Sequence, residues 1–293
     1  MVTVARMSTW RPSRSSGCRR SCECSAVAVS RRKAVASTLS ALVLARGERA
    51  SAKARYDASQ VEELTRLFTE AIKLSNGETE PADEAWTRII DFAPDTSAAW
   101  SNRGTFRLQR GLWNTALEDL EQAVALEGGA ESADGYLMNN LGNAFGANGR
   151  WDDALKAYKQ SALTGSKAGD EDLAEIADAN HGLGLMQVGR DEEALDEFRR
   201  LLRRDANFLD MRAAETAALW AQGDRSGAEA AWTQLQTADE GGLYPKQLAI
   251  ARVQGRWPPR CTAALSAFLT VKAKGDAMGY DGKIKTYDFT SAK

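Results

Sequence analysis

The sequence predicts an all-α protein built from a row of similar helical hairpins, and three observations carry this prediction. The triplets 102–104, 140–142 and 180–182 have the form Asn-x-Gly and recur at intervals of 38 and 40 residues. A second glycine follows each triplet at a fixed distance, and an alanine and then a bulky residue follow that glycine. Ala, Leu, Glu and Arg, which favour helices, dominate the segments between them. Repetition of this kind is typical of stacked helical pairs that share one continuous core.

Each place in the repeat has a physical reason for its residue type. The first glycine and the alanine lie where the two helices of a hairpin press together, so a larger side chain would separate their backbones. The second glycine lies where the first helix ends, which suits a left-handed cap before a short turn. The bulky residue fills the space between successive hairpins. The second glycines are Gly111, Gly149 and Gly189, the alanines are Ala116, Ala154 and Ala194, and the bulky residues are Leu120, Tyr158 and Phe198.

At these residues the chain resembles the tetratricopeptide repeat family. One repeat is matched by Trp100, Gly104, Gly111, Trp113, Ala116, Leu120 and Ala123, and the next by Leu141, Gly142, Phe145, Gly149, Trp151, Ala154 and Tyr158. The resemblance implies a right-handed superhelix in which the first helix of each hairpin lines a concave groove. In the family, this groove binds an extended peptide or a partner helix.

Weaker copies of the pattern extend the array in both directions. Gly77 and Trp86 indicate a hairpin upstream, and Gly223 and Trp232 indicate a fifth hairpin downstream, although Thr216 stands at the glycine place of that hairpin. We therefore expect about four to five hairpins over 58–241, in the units 58–94, 97–130, 135–168, 175–208 and 209–241. The wider spacings leave extra residues near 130–134 and 169–174, where loops or helix ends should be longer.

Residues 242–274 are expected to cap the array. The two prolines within 256–260 (RWPPR) end any preceding helix and set the start of the next, over 261–274, which has an apolar face. A helix preceded by Arg-Trp-Pro-Pro resembles the end of tetratricopeptide proteins of plastids and cyanobacteria. Residues 275–293 show no periodic pattern and are expected to form a tail.

The first 52 residues differ chemically from the rest of the chain. They hold ten Lys or Arg, ten Ser and only two acidic residues, so this segment carries a net charge of +8 and the remainder carries −10. An Arg-rich, Ser-rich and acid-poor leader is typical of an organelle transit peptide that is removed after import. Met7 is an alternative start to Met1.

A second targeting signal lies inside this leader. Arg31 and Arg32 precede the uncharged run 34–45, which is too short to span a membrane, and Ala50 and Ala52 form a small-residue cleavage site. These features predict a chloroplast protein of the thylakoid lumen, with the plastid stroma and the mitochondrion as alternatives. Beyond residue 53 no apolar stretch is long enough to cross a bilayer, so at most peripheral membrane contact is expected.

The sequence predicts neither an enzyme nor a cofactor or metal site. His181, the only histidine, takes a packing place in its repeat and is expected to be structural and partly buried. The acidic runs 118–121 and 191–193 are expected to be solvated helix faces, and Cys261 a packed helix residue. Because the chain beyond the leader is acidic and would repel phosphates, nucleic acid is not an expected partner.

The resemblance also implies which side chains face the groove. Asn102, Asn140 and Asn180 form a ladder that either offers amides to a peptide backbone or braces adjacent repeats, and the residues do not decide between the two. Trp220 is either an exposed anchor or is covered by the C-terminal segment, and the covered arrangement is favoured because an array end needs capping. The predicted protein-binding residues are Asn102, Thr105, Gln109, Tyr136, Asn139, Asn140, Asn143, Asn180, Met186, Gln187 and Trp220.

These observations together predict a non-enzymatic scaffold for protein–protein interaction in the plastid. By family resemblance it would assist the assembly, maintenance or repair of a photosynthetic membrane complex, with subunits of a photosystem or another thylakoid complex as partners. The alternative is a permanent structural subunit of a larger plastid or mitochondrial complex.

Overall fold

All regular structure in the described part of the chain is helical, which confirms the predicted all-α fold. The computed structural model describes residues 56–75, 81–239, 241–242, 244 and 249–277. The predicted leader, with Arg31, Arg32, Ala50 and Ala52, and the tail beyond Ala277 lie outside the described residues.

Five helical hairpins follow one another within the described residues, and a C-terminal segment comes after them. The hairpins are α1 (Ala58–Ser75) with α2 (Pro81–Phe92), α3 (Ser97–Gln109) with α4 (Trp113–Leu126), α5 (Gly135–Ala147) with α6 (Trp151–Ala168), α7 (Glu171–Gln187) with α8 (Asp191–Arg204), and α9 (Leu209–Gln222) with α10 (Arg225–Ala238). The C-terminal segment contains the short α11 (Ala249–Val253) and the long α12 (Pro259–Ala277).

Glycine sets both the turn and the helix crossing within a hairpin, as the repeat pattern predicts. Gly149, between α5 and α6, has a φ of 76°, in the left-handed region that favours glycine. Gly142 lies so close to α6 that an added Cβ would be 2.5 Å from the ring of Tyr158. A side chain at this place would therefore push the two helices apart.

The fifth hairpin has a threonine in the glycine place. Thr216 is fully buried, and its hydroxyl donates a hydrogen bond of 3.0 Å to the carbonyl of Arg212. Trp232 fills the bulky place and is also fully buried. The hairpin is formed because the polar group that replaces glycine has a partner within its own helix.

The extra residues between repeats lie where the spacing predicts. Residues 127–134 form an extended turn between α4 and α5. The second insertion lengthens the helices beside it, because α6 has 18 residues and α7 has 17, whereas α5 has 13.

A buried ion cluster joins the first two hairpins and corrects one expectation. Asp119 on α4 is 2% exposed and accepts hydrogen bonds from Arg103 at 2.8 Å and from Arg107 at 3.0 Å. Arg107 also pairs with Asp83 on α2, at 2.7 and 2.9 Å. The expectation that the run 118–121 is a solvated face is therefore wrong for Asp119, because two arginines of α3 neutralise it inside the stack.

The core continues along the array and into the C-terminal segment. Side chains of that segment, among them Val253, Trp257, Cys261, Leu265 and Phe268, are buried together with residues of α7 to α10. The last two hairpins and the C-terminal segment thus share one core. Among the described helices, none has the length and apolarity that a bilayer span requires.

Candidate functional site

The concave face of the array is formed by the first helix of each hairpin, and α3, α5, α7 and α9 contact one another in that order. This face has two parts. The C-terminal helix α12 packs mainly on α9 and also on α7. We therefore call the concave surface of α3 and α5 the open stretch, and that of α7 and α9 the covered stretch.

Side chains of the open stretch are polar, uncharged and partly accessible. The half-buried members are Ser101, Asn102, Thr105 and Gln109 on α3, and Tyr136 and Asn140 on α5. Groups of this kind donate and accept hydrogen bonds without the large desolvation cost of a charged group. The open stretch can therefore hold the polar backbone of another chain.

Two amides of the predicted ladder brace adjacent repeats. The Nδ2 of Asn140 on α5 donates to the Oγ1 of Thr105 on α3 at 3.1 Å. The Nδ2 of Asn180 on α7 donates to the Oδ1 of Asn139 on α5 at 2.9 Å. The structure thus shows the bracing role at both places, and each amide holds two first helices together.

Two predicted binding residues lie inside the stack. Asn139 is fully buried, and Asn143 is 1% exposed and accepts a hydrogen bond of 3.0 Å from the hydroxyl of Tyr158. Burial raises the pKa of Tyr158 above its ordinary value, so this hydroxyl remains a donor. Neither asparagine presents its side chain to an outside partner in this structure.

The covered stretch is apolar and is occupied by α12. Phe268 is fully buried and its ring centroid lies 5.5 Å from that of Trp220 and 5.7 Å from that of Trp232. Trp220 also stacks under the guanidinium of Arg225, whose carbon is 3.6 Å from the ring centroid. Of the two arrangements predicted for Trp220, the structure shows the covered one.

The RWPPR segment fastens α12 into the covered stretch through two arginines. Arg260 forms a two-bond pair with Asp191, at 2.5 and 2.6 Å, and it also donates to the carbonyl of Met186. Its backbone amide donates to the Oε1 of Gln187 at 2.9 Å. Arg256 pairs with Asp210 at 2.6 Å. We call these two arginines and their partners the arginine clasp.

Three residues that were expected on accessible surfaces instead contact the C-terminal segment. Met186 is fully buried and Gln187 bonds the chain's own backbone, so both contact the C-terminal segment rather than an open groove. Asp191, expected on a solvated acidic face, is held by Arg260 instead. The pKa of Arg260 is raised, mainly by its hydrogen bonds to Asp191, so the guanidinium keeps its charge.

The sequence carries a signal for the covering helix, which was predicted, but none for the clasp, which was not. At the groove-facing places of the fifth hairpin stand Ala213, Ala214 and Ala217, and all three are fully buried. A run of small apolar residues on a surface expected to face solvent indicates that another helix covers it closely.

The buried thiol and the single histidine have structural roles. Cys261 is fully buried on α12, and its Sγ donates to the carbonyl of Leu183 at 3.4 Å. Burial raises its pKa, which keeps the thiol protonated and unreactive. The Nδ1 of His181 lies 2.7 Å from the Oε2 of Glu197, within its own hairpin. Both placements agree with the sequence-based interpretation.

Two arginines of α3 point away from the open stretch. Arg103 and Arg107 leave α3 toward α4 and α2, where they bind Asp119 and Asp83. The hydrogen bond from Arg107 holds the pKa of Asp83 below its ordinary value. The hydroxyl of Tyr136 on α5 donates to the Oδ2 of Asp170 at 2.9 Å, so one carboxylate lies beside the open stretch.

Comparison with known proteins agrees with this fold. A family model described as tetratricopeptide repeat matches residues 95–162. Tetratricopeptide repeat protein 36 of Mus musculus is 32% identical over 109 residues, which make up 37% of this chain and 59% of the mouse protein. The protein of the same name from Homo sapiens is 31% identical over 109 residues, or 37% of this chain and 58% of the human protein. The chain thus matches less than two thirds of the length of these relatives.

Solved structures share the fold at low identity. YrrB, described as a TPR protein with an unusual peptide-binding site, is 14% identical, with a TM-score of 0.52 over 71% of this chain and 96% of YrrB. The protein pilF of Pseudomonas aeruginosa is 15% identical, with a TM-score of 0.52 over 76% of this chain and 97% of pilF.

The fold is a row of helical hairpins, and part of this row matches the tetratricopeptide repeat. The chain contains tetratricopeptide repeats at residues 95–162, and hairpins of the same design lie on both sides of that range. Repeats of this type generally mediate protein–protein interactions.

Proposed function

We propose that this protein is a non-enzymatic scaffold that holds a segment of a partner protein in the open stretch of its concave groove. One observation carries the proposal. The polar side chains of α3 and α5 remain partly accessible, whereas α12 fills the equivalent surface of α7 and α9. A groove that the chain closes at one end and leaves accessible at the other is suited to a partner at the accessible end.

The comparisons support this proposal at the level of class. The peptide-binding site ascribed to YrrB belongs to a protein of the same fold. At 14% identity, residues of the YrrB site cannot be assigned to positions in this chain. The proposed site therefore rests on the geometry of α3 and α5.

A biological setting follows from the sequence and forms the second part of the proposal. The Arg-rich, Ser-rich leader and the RWPP segment favour a chloroplast protein of the thylakoid lumen, and a role in assembly, maintenance or repair of a photosynthetic membrane complex. The stroma and the mitochondrion are the competing compartments. A permanent structural subunit of such a complex is the competing role.

Site-specific photo-crosslinking tests the groove. A benzophenone side chain introduced in place of Gln109, on the open stretch, should give a discrete cross-linked partner band in cells. The same replacement of Gln122, an exposed glutamine on α4 of the same hairpin, is the matched control and should give none. Equal cross-linking from both positions would contradict a partner site in the groove.

Two further measurements test the setting. A mature N-terminus at Lys53 is expected for a lumenal protein, while a start within 25–31 would place it outside the lumen. As an assembly factor, the protein should co-purify with immature complexes in amounts below one per complex. Constant stoichiometry with the mature complex would favour the structural subunit instead.

A further inference from the structure

We infer that Asn148 is a site of spontaneous deamidation, that the folded joint between the second and third hairpins keeps it unreacted, and that its reaction loosens this joint. These two hairpins supply α3 and α5, which form the open stretch. The inference concerns the lifetime of the groove and not the identity of its partner, so it stands or falls independently of the proposed function.

The sequence supplies the reactive dipeptide. Asn-Gly occurs twice in the chain, at 76–77 and at 148–149, and the first pair lies outside the described residues. Because glycine has no Cβ, the amide nitrogen that follows the asparagine is unusually free to approach the asparagine side chain. Among the hairpin turns that the structure describes, this one alone has an asparagine before its left-handed glycine.

Deamidation at this dipeptide needs no cofactor and no other protein. The amide nitrogen of Gly149 loses its proton and attacks the Cγ of Asn148, and the new C–N bond closes a succinimide ring. The side-chain nitrogen takes up a proton and leaves as ammonia. Water then opens the ring at either of its carbonyls, which leaves aspartate or isoaspartate at position 148. The net reaction consumes water, releases ammonia and creates a carboxylate.

The folded turn holds the reacting atoms apart. Asn148 has a ψ of 7°, which turns the nitrogen of Gly149 away from the Asn148 side chain. That nitrogen also donates a hydrogen bond of 3.0 Å to the carbonyl of Gly146. The Nδ2 of Asn148 donates to the carbonyl of Ala144 at 2.8 Å and to that of Trp113 at 3.1 Å. Ring closure therefore requires the turn to rotate and these hydrogen bonds to break.

The bond to Trp113 joins two hairpins. Trp113 begins α4 in the second hairpin, whereas the half-buried Asn148 caps the C-terminus of α5 in the third. A carboxylate at position 148 has no proton to donate, so its oxygens would face carbonyl oxygens and repel them. Deamidation thus turns an attraction between the hairpins into a repulsion. Because the reaction is irreversible, it accumulates with each opening of the joint.

Peptide mapping by mass spectrometry tests the protection on the full chain. Trypsin cleaves after Arg110 and Arg150, so position 148 and the other Asn-Gly pair fall on different fragments. At mildly alkaline pH, conversion at position 148 should be at least about tenfold slower in the folded chain than in a synthetic peptide of residues 143–153, because only opened molecules react.

Two variants test whether the joint controls the rate. Gly142→Ala places a Cβ 2.5 Å from the ring of Tyr158, so it should open the third hairpin and speed conversion at least about tenfold. Phe268→Ala, a change in the covered stretch, is the matched control and should alter the rate less than about twofold, because repeats couple mainly to their neighbours.

The effect on the joint is tested with Asn148→Asp, which carries the product. Amide hydrogen exchange in α4 and α5 should be at least about threefold faster in this chain than in the natural one. Asn207→Asp, at an exposed position between α8 and α9, is the control and should leave exchange in both helices unchanged. Unchanged exchange in the Asn148→Asp chain would overturn the loosening.

The remaining outcomes also decide the matter. Equal conversion rates in the folded chain and the peptide would overturn the protection, and equal acceleration by Gly142→Ala and Phe268→Ala would show that the reaction follows global unfolding instead of opening of the joint. Because Gly142→Ala can unfold the hairpin, urea below the unfolding transition of the natural chain is the second way to open it. Conversion should rise with urea there, and a constant rate would overturn the inference.

Discussion

The open and covered stretches of the concave face occupy equivalent places in successive repeats, but the first is accessible and the second is covered by α12. On α3 and α5 these places carry polar side chains such as Thr105 and Gln109, and the surface stays accessible. On α9 they carry Ala213, Ala214 and Ala217, and α12 covers them completely. The side chains at equivalent places thus differ between the accessible stretch and the stretch that holds the chain's own C-terminal helix.

This difference shows how residues at equivalent places of a repeat can leave one part of a groove accessible and cover another. Covering a polar residue of the groove with a helix of the same chain adds little stability, because the hydrogen-bonding groups of that residue would need new partners. A small apolar residue in the groove lets a covering helix approach closely and bury the apolar face of that helix. The four predictions below test the division, beginning with the largest expected effect on stability.

The largest effect is expected at Phe268, which anchors α12 in the covered stretch. Phe268→Ala should lower the free energy of unfolding by about 4 kcal/mol, because it leaves a cavity against Trp220 and Trp232. Urea denaturation followed by circular dichroism measures this loss. Val271, 53% exposed on the same helix, provides the control, and Val271→Ala should cost less than about 0.5 kcal/mol. Equal losses for both variants would contradict the covered arrangement.

A slightly smaller effect is expected from the arginine clasp. Arg256→Met should lower the free energy of unfolding by about 3 kcal/mol, because Asp210, 1% exposed, loses its guanidinium partner while remaining buried. Thermal or urea unfolding measures it. Arg203→Met, at an exposed position of α8, is the matched control and should be close to neutral. A neutral result at Arg256 would show that the clasp does not hold the segment.

Alkaline pH should loosen the covered stretch through Cys261. Its pKa is raised chiefly by burial, with Arg260 opposing and Asp191 reinforcing the shift. The folded thiol thus keeps its proton at a pH where the unfolded thiol, with an ordinary pKa of about 9, has lost it. Stability from this group is complete below about pH 8 and should fall by up to about 1.4 kcal/mol per pH unit above pH 9.

Urea unfolding of the natural chain and of Cys261→Ala, compared at about pH 8 and pH 10, measures this thiol contribution. The variant should have a lower stability at both values but a shallower dependence on pH. An identical pH dependence in the two chains would mean that the thiol is not held in the core.

The smallest effects are expected at the bracing amides, and they should differ between Asn180 and Asn140. Asn180→Ala should cost about 1.5 kcal/mol, because its partner Asn139 is fully buried and no water can replace the amide. Asn140→Ala should cost about 0.5 kcal/mol, because its partner Thr105 is half-buried and can bond water. Urea unfolding ranks the two variants, and the reverse order would contradict the difference in accessibility.

Much of the fold was predictable because the packing rules at the helix crossings are local and periodic. A glycine that faces a bulky side chain sixteen residues later, as Gly142 faces Tyr158, recurs in the second, third and fourth hairpins and can be recognised in the sequence. The left-handed turn at Gly149 is equally local. The structure at these positions depends on the size of the side chain and on the conformational freedom of the backbone, and both follow directly from the residue type.

The arginine clasp and the buried ion cluster were not predictable in the same way. The clasp joins Arg260 to Asp191 across 69 residues, and no periodic pattern links two positions so far apart. Asp119 lies in an acidic run that is compatible with a solvated face, and only the fold brings Arg103 and Arg107 against it. The role of the asparagine ladder was not predictable either. The sequence shows that the amides are present, but only the structure gives the distances to neighbouring helices that distinguish bracing from binding.

Hydrogen exchange of the full chain, with and without a peptide selected for the open stretch, tests the division of the groove most directly. Our account predicts that the peptide slows amide exchange in α3 and α5 only, and leaves exchange in α7, α9 and α12 unchanged. Slower exchange in α7 and α9 together with faster exchange in α12 would contradict it, because the partner would then have displaced the C-terminal helix from the groove.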